Sequence, residues 1–130
     1  MGKMVADAVL DAALNHLKTN GNRMTICASE PTTYAKATDE PSSSGYKLAS
    51  VSISSADYTG PANGDTSGRK ITVNAQSSIS IDVTGSAAHV AIVSTSSSAL
   101  LYVTTCTSQS LTATNKVNSP AWEIELRDPS

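Results

Sequence analysis

Residues Ile71–Asn115 read ITVNAQSSISIDVTGSAAHVAIVSTSSSALLYVTTCTSQSLTATN, with Asp82 the one charged side chain among them. β-Branched residues are set among Ser and Thr throughout. Within it, Ile79, Ile81 and Val83 fall on one parity and Ser80 and Asp82 on the other. A period of two with one apolar parity is the pattern of a strand buried on a single side. Working outward, the spacing predicts strands over Lys70–Asn74, Ser78–Thr84, His89–Ser94, Leu100–Thr105, Ser110–Thr114 and Trp122–Arg127. Ser77-Ser78, Gly85-Ser86, Thr95–Ser98 and Asn115–Asn118 read as the turns between them. Short strands at close, regular intervals signal an antiparallel sandwich or barrel. In the last one Trp122, Ile124 and Leu126 alternate with Glu123, Glu125 and Arg127, which reads as a charged edge strand.

Upstream the period changes. Ala6, Leu10, Ala13, Leu14 and Leu17 follow the spacing of one helical face, predicting an amphipathic helix over Met4–Asn20. Asp7 and Asp11 lie early and Lys18 late, as the helix dipole prefers. Thr19-Asn20-Gly21-Asn22 marks the stop, with Gly21 read as a left-handed cap. Arg23–Ala28 alternates as a short strand carrying Met24 and Ile26 on one face, and Tyr46–Ser54 resumes strand character. Ser29–Gly45 has two prolines and little apolar content, so it reads as a loop or extended arm anchored by Tyr34 and Ala37. Asp57–Gly68 is dense in turn residues and reads as a second loop. The expected fold is mainly β: an N-terminal α-helix and cap (1–22), then an antiparallel β-sandwich or barrel-like sandwich (23–130) with long loops at 29–45 and 57–68. Together these form a single domain.

Charged residues make up 15% of the 130-residue chain, against about a quarter in an ordinary soluble domain. There is no Phe, one Trp and four Tyr, so the core must be built from Val, Ile, Leu and Ala. A net charge of −2 with no Lys/Arg cluster argues against nucleic acid as a partner. No apolar run approaches a membrane span. Asp7 and Asp11 break the N-terminal run, and Ala6 stands where a myristoylation signal starting at Gly2 would want Ser or Thr. The expectation is synthesis and folding in a cytoplasm, with no membrane partner.

Catalytic constellations are thin. A Ser-His-Asp set can be drawn from His89, Asp82 and any of many serines, but no Gly-x-Ser-x-Gly elbow presents a nucleophile. His16 has no second His at i±4, and Cys27 and Cys106 lack zinc-ligand spacing, so no metal is expected. Gly64 and Gly68 are separated by three residues rather than four, with Arg69 following, which departs from a phosphate-binding loop. Asp57 and Asp65 belong to no EF-hand string. Glu123 and Glu125 share a face with Arg127, and few aromatics are present to stack on a sugar. The chain is therefore read as a non-enzyme without cofactors. Whether Cys27 and Cys106 are bonded is open at this level.

Several strings resemble a family of small virion proteins of tailed bacteriophages. They are Asp11-Ala-Ala-Leu-Asn15, Asn22-Arg-Met-Thr-Ile-Cys27, Ser29-Glu-Pro-Thr-Thr-Tyr34 and Tyr46-Lys-Leu-Ala49, followed by His89-Val-Ala-Ile-Val93, Leu101-Tyr-Val-Thr-Thr-Cys106 and Pro120-Ala-Trp-Glu-Ile124. They cover nearly the whole chain outside Asp57–Gly68. The resemblance implies a β-rich particle component without catalytic activity, located in the virion, and it brings no active-site residues. It leaves open a capsid-decorating or cement role or a neck or tail accessory role. The expected partners are copies of itself, a trimer among the symmetries considered, and the major capsid protein or neck and tail proteins. Neutral Ser/Thr strand faces suit such contacts, because few ions need to be desolvated. Tyr34, Tyr46, Tyr58, Tyr102 and Trp122 are the candidate interface anchors, since aromatics dominate interface hot spots. In that role the N-terminal helix and the Ser29–Gly45 arm are expected to bridge neighbouring subunits. A glycan- or receptor-binding sandwich is the alternative from another class. It requires an exposed loop aromatic, Tyr34 or Tyr58.

Overall fold

Helix α1 (Asp7–Asn20) opens the computed structural model, which describes residues 3–129. Residues 1, 2 and 130 lie outside that range, so the reading of Gly2 and the outermost ends of the two segments lie outside the described residues. Nine strands follow: β1 (Arg23–Cys27), β2 (Lys47–Ser52), β3 (Tyr58–Asn63), β4 (Arg69–Val73), β5 (Gln76–Ser80), β6 (Gly85–Ser94), β7 (Ala99–Leu111), β8 (Lys116–Ser119) and β9 (Trp122–Leu126). A one-turn helix α2 (Tyr34–Thr38) lies between β1 and β2.

All strand pairs are antiparallel. One sheet has the order β2-β1-β6-β7, a second the order β3-β4-β9, and β5 pairs with β8. Met24 and Ile26 of β1 and Ile92 of β6 meet Ile71 and Val73 of β4, Ile79 of β5 and Ile124 of β9 in one continuous core. The result is the sandwich-like, mainly β fold expected from the alternation. Removing these aliphatic faces from water is the main force holding the layers together.

On α1, the buried stripe is Leu10, Leu14 and Leu17, while Ala6 and Ala13 face solvent. The helix lies against β3 and β4. There the Asp11 carboxylate accepts from Arg69 Nε at 2.7 Å and Nη2 at 3.3 Å, and Lys18 Nζ donates to the Gly60 carbonyl at 3.1 Å. Gly21 is not a left-handed cap: its φ is −75° and its ψ 92°. It is glycine for lack of room. A Cβ there would lie 2.6 Å from Ile92 Cγ2, 2.6 Å from Tyr58 Oη and 2.7 Å from the Leu17 carbonyl oxygen.

The segment 29–45 is not an extended arm. Thr33 caps α2 by accepting from the Lys36 amide, and α2 folds back over the outer face of the first sheet. Ala37 fills a small second core with Ala91 and Val93, against which Tyr34, Leu100 and Val103 pack. Thr25 and Cys27 are therefore buried on one side of β1 while Met24 and Ile26 are buried on the other.

Several strand boundaries also differ from expectation. The predicted loop 57–68 contains β3, because Tyr58 and Thr59 pair with Val73 and Thr72 before the turn begins. Leu100–Thr105 and Ser110–Thr114 are not two strands. β7 runs through the polar TSQS stretch, pairing Ser110 with Ser86 and Leu111 with Gly85, so Gly85-Ser86 starts a strand rather than forming a turn. The strand predicted over Ser78–Thr84 ends at Ser80. Ile81 then bridges to Ala49, and the Asp82 and Val83 amides both donate to the Leu48 carbonyl, carrying the chain from β8 across to the edge of β2. Lys116–Ser119, which overlaps the predicted turn Asn115–Asn118, is β8.

Tyr58 links the layers. Its ring is 4% exposed and its hydroxyl donates to the Gly21 carbonyl at 2.9 Å. Burial, with the neighbouring Asp57 charge, pushes its phenol up to about 12 from its ordinary 10. The folded state therefore holds this proton more tightly than the unfolded state. That contribution is complete below about pH 10 and is lost as pH rises toward about 12, a fall of about 2 kcal/mol. Chemical denaturation at stepped alkaline pH should trace this decline, and Tyr58→Phe should flatten it.

Candidate functional site

The five aromatics fall into three settings. Tyr58 is in the core, which corrects its reading as an interface anchor: a ring enclosed between α1 and β3 has no free face. Tyr34 and Tyr46 are half-buried around α2. Tyr34 packs on the small second core, and Lys36 Nζ sits 5.2 Å from the centre of the Tyr46 ring. Tyr102 of β7 and Trp122 of β9 come together, their rings stacked with centroids 5.9 Å apart. The loop-aromatic requirement of a glycan-binding reading thus loses Tyr58.

Beside the Tyr102–Trp122 pair the surface is indented. Two adjoining clefts, of about 280 and 270 Å³, share Val90, Cys106, Ser119 and Pro120. Ile26, Ala87, Leu111 and Val117 make the first one apolar, and Trp122 and Glu123 close the second. The space lies between β7 and the segment Val117–Glu123, where β7 departs from regular pairing. Relative to β6, β7 carries extra residues between Thr105 and Gln109 and again at Leu101. Such bulges bend a strand locally. Glu123 is the single charged residue among the lining residues. Trp122 Nε1 is buried there and has no hydrogen-bond partner. A buried N–H without an acceptor is costly, by about 1–3 kcal/mol.

β7 is also the edge of its sheet, and among the described residues no backbone hydrogen bond reaches its far side. The edges formed by β2, β3 and β9 are covered or charged. Leu48 of β2 accepts from the Asp82 and Val83 amides. β3 lies under α1, with Gly60 held by Lys18. β9 carries the Glu123 ion pair with Lys70 at 2.5 Å and the Glu125 ion pair with Arg127 at 3.2 Å, so the charged edge strand read from its alternation is present. β7 has no charge and no Pro from Ala99 to Leu111. An edge of that kind is a natural place for another chain to attach.

The other sequence candidates do not converge. Asp82 pairs with Lys47 at 3.5 Å, and His89 Nδ1 has no partner, so no Ser-His-Asp set is assembled. His89 does stand opposite Cys27 across β1 and β6. However, the Cys27 sulfur lies near Thr25 Oγ1 at 3.6 Å and the Ala37 carbonyl at 3.8 Å, and burial pushes its thiol up, toward the unreactive protonated form. Cys27 and Cys106 are both free thiols. Two amides of the 64–68 turn are already engaged: Gly64 donates to the Gly68 carbonyl at 3.0 Å and Thr66 to Glu125 Oε1 of β9 at 3.0 Å. No group of three or more His, Cys, Asp or Glu side chains gathers among the described residues. Among the described residues, no helix is long and apolar enough to cross a membrane.

The sequence reading missed the cleft, because Cys106, Val117 and Pro120 carry no motif and meet only through the fold. Comparison of the chain with protein-family models, with curated proteins and with solved structures returns no match.

Proposed function

We infer that this protein is a non-enzymatic structural component of a tailed-phage virion. It is made in the host cytoplasm and acts as a homo-oligomer that decorates or cements the capsid lattice. The observation that carries this reading is the uncharged, unpaired edge of β7 with the apolar cleft beside it. A neutral edge next to an open apolar space gives a partner backbone hydrogen bonds and a packing site without desolvating ions. The strings that resemble small virion proteins of tailed phages agree with it. They also support a neck or tail accessory as the next reading.

Sedimentation of the purified chain, together with immunodetection on gradient-purified particles, tests it. Association at high concentration and a particle-bound signal are the expected results. A chain that stays monomeric and never sediments with particles would overturn the reading. Immunogold labelling over the head favours decoration, and labelling at the neck or tail favours the alternative.

A further inference from the structure

The first sheet ends in β7, and its register limits how that edge can be joined. Tyr102 and Thr104 stand opposite Ile92 and Val90 on the side of the sheet that faces the main core. Val103 and Thr105 stand opposite Ala91 and His89 on the other side, the one that α2 covers. Leu101 is bulged, and so is the stretch between Thr105 and Gln109, which leaves Tyr102–Thr105 as the run in regular register between the two irregularities. Bulges bend a strand and disrupt its ladder, so an added strand is confined to this run.

We propose that this run is a joint between two copies, in which β7 of one chain pairs antiparallel with β7 of a second about a two-fold axis. The two four-stranded sheets then become one continuous sheet. The inference rests on the homo-oligomer reading above and names its contact. Charge selects the occupant. A two-fold contact sets a patch against its own copy, so the patch must be complementary to itself. A charged strand fails that requirement, because the axis brings like charges together. β7 meets it, with no charged side chain from Ala99 to Leu111 and no Pro to remove a ladder amide. Val103, Thr104 and Thr105 are also β-branched, a residue type that pairs well across strands.

The two faces fix the parity of the pairing. With the axis normal to the sheet, residues directly opposite share a parity, so core-side residues meet core-side residues and α2-side residues meet α2-side residues. Within Tyr102–Thr105 the axis therefore passes at Val103 or at Thr104 and sets that residue against itself. A slip of one residue would turn the core face of one copy outward. So short a joint is weak alone, and effective concentration multiplies it where copies are arrayed on a lattice.

The test uses variants of the intact chain at the edges of β7 and β2. Thr105 on β7 and Ser52 on β2 are both exposed, so Lys at either position leaves the core untouched and circular dichroism should match wild type. Thr105→Lys should weaken self-association by about 10-fold or more, because an ammonium group must be desolvated in a neutral joint. Ser52→Lys should leave it unchanged. Disulfide formation then places the axis. Val103→Cys and Thr104→Cys are made singly in a Cys106→Ser background, where the remaining Cys27 is buried, and are oxidised with copper phenanthroline. Directly opposed residues have Cα atoms about 4.5–5.5 Å apart, within disulfide reach. One of the two variants should therefore give a dimer bonded at its own position, identified by peptide mass spectrometry, and Ser52→Cys in the same background should not. If wild type associates but Thr105→Lys associates equally well, or if Ser52→Cys crosslinks as readily as position 103 or 104, the β7 joint is refuted and the homo-oligomer reading survives. If wild type stays monomeric at high concentration and no variant crosslinks, both fall.

Discussion

Gly21→Ala should destabilise the fold by about 3 kcal/mol, from overpacking plus a disturbed buried hydrogen bond. The backbone at Gly21 has a φ of −75°, which alanine adopts without strain, so the whole effect is steric. The added methyl would meet Ile92 Cγ2, Tyr58 Oη and the Leu17 carbonyl oxygen at 2.6, 2.6 and 2.7 Å. Ile92 and Tyr58 can shift at some cost in core packing. The Leu17 oxygen cannot, because it accepts the Gly21 amide at 2.7 Å and belongs to the last turn of α1. Relief therefore means lifting the end of the helix off the sandwich. The melting temperature should fall by about 10 °C. Adding Tyr58→Phe to Gly21→Ala should recover part of that loss, because the phenol oxygen is one of the three obstructing atoms, and a double-mutant cycle in urea would measure the coupling. Purely additive losses would place the crowding elsewhere.

Ile71→Ala should cost about 3–4 kcal/mol, within the range for a large-to-small change that leaves a cavity. Ile71 is 0% exposed and central in β4, opposite Ile124 of β9 and in the same core as Met24 and Ile92 of the facing sheet. With β3 paired on one side of β4 and β9 on the other, the backbone has little freedom to close the hole. The urea midpoint should drop sharply with little change in slope. Val9→Ala, which removes the same kind of side-chain bulk from an exposed position, should change stability by no more than about 0.5 kcal/mol. Equal losses at the two positions would contradict the core placement of Ile71.

The alternations that predicted strands were readable wherever one face was apolar and the other was not. Ile71 and Val73, Ile79 and Ile81, and Trp122, Ile124 and Leu126 all lie on strands or a bridge as their spacing implied. The readings that changed involve residues whose partner is distant in sequence. TSQS in β7 looked like a break because it is polar. It is polar because it lies along an exposed edge, and it still pairs with β6. β3 was hidden in a turn-rich segment because an edge strand packed under α1 needs few apolar residues of its own. Gly21 looked like a cap because glycine commonly ends helices, while its actual requirement comes from Ile92 and Tyr58 approaching it from elsewhere in the chain.

The candidate site divides the same way. Lack of charge along Ile71–Asn115 and the charged face of the last strand were legible directly, since both are local properties of composition and period. Which strand edges would be covered, and that β7 would be left open, followed only from the order in which strands pair. The cleft beside Trp122 is a further step removed, because its lining comes from β1, β6, β7, β8 and the start of β9 and takes shape only when the layers close. Side-chain pattern determined the strand-rich, one-sided sandwich with a leading helix, because burial of one face per element is a nearest-neighbour property. Long-range packing decided the open edge, the folded-back 29–45 segment and the cleft, because those depend on which distant surfaces meet.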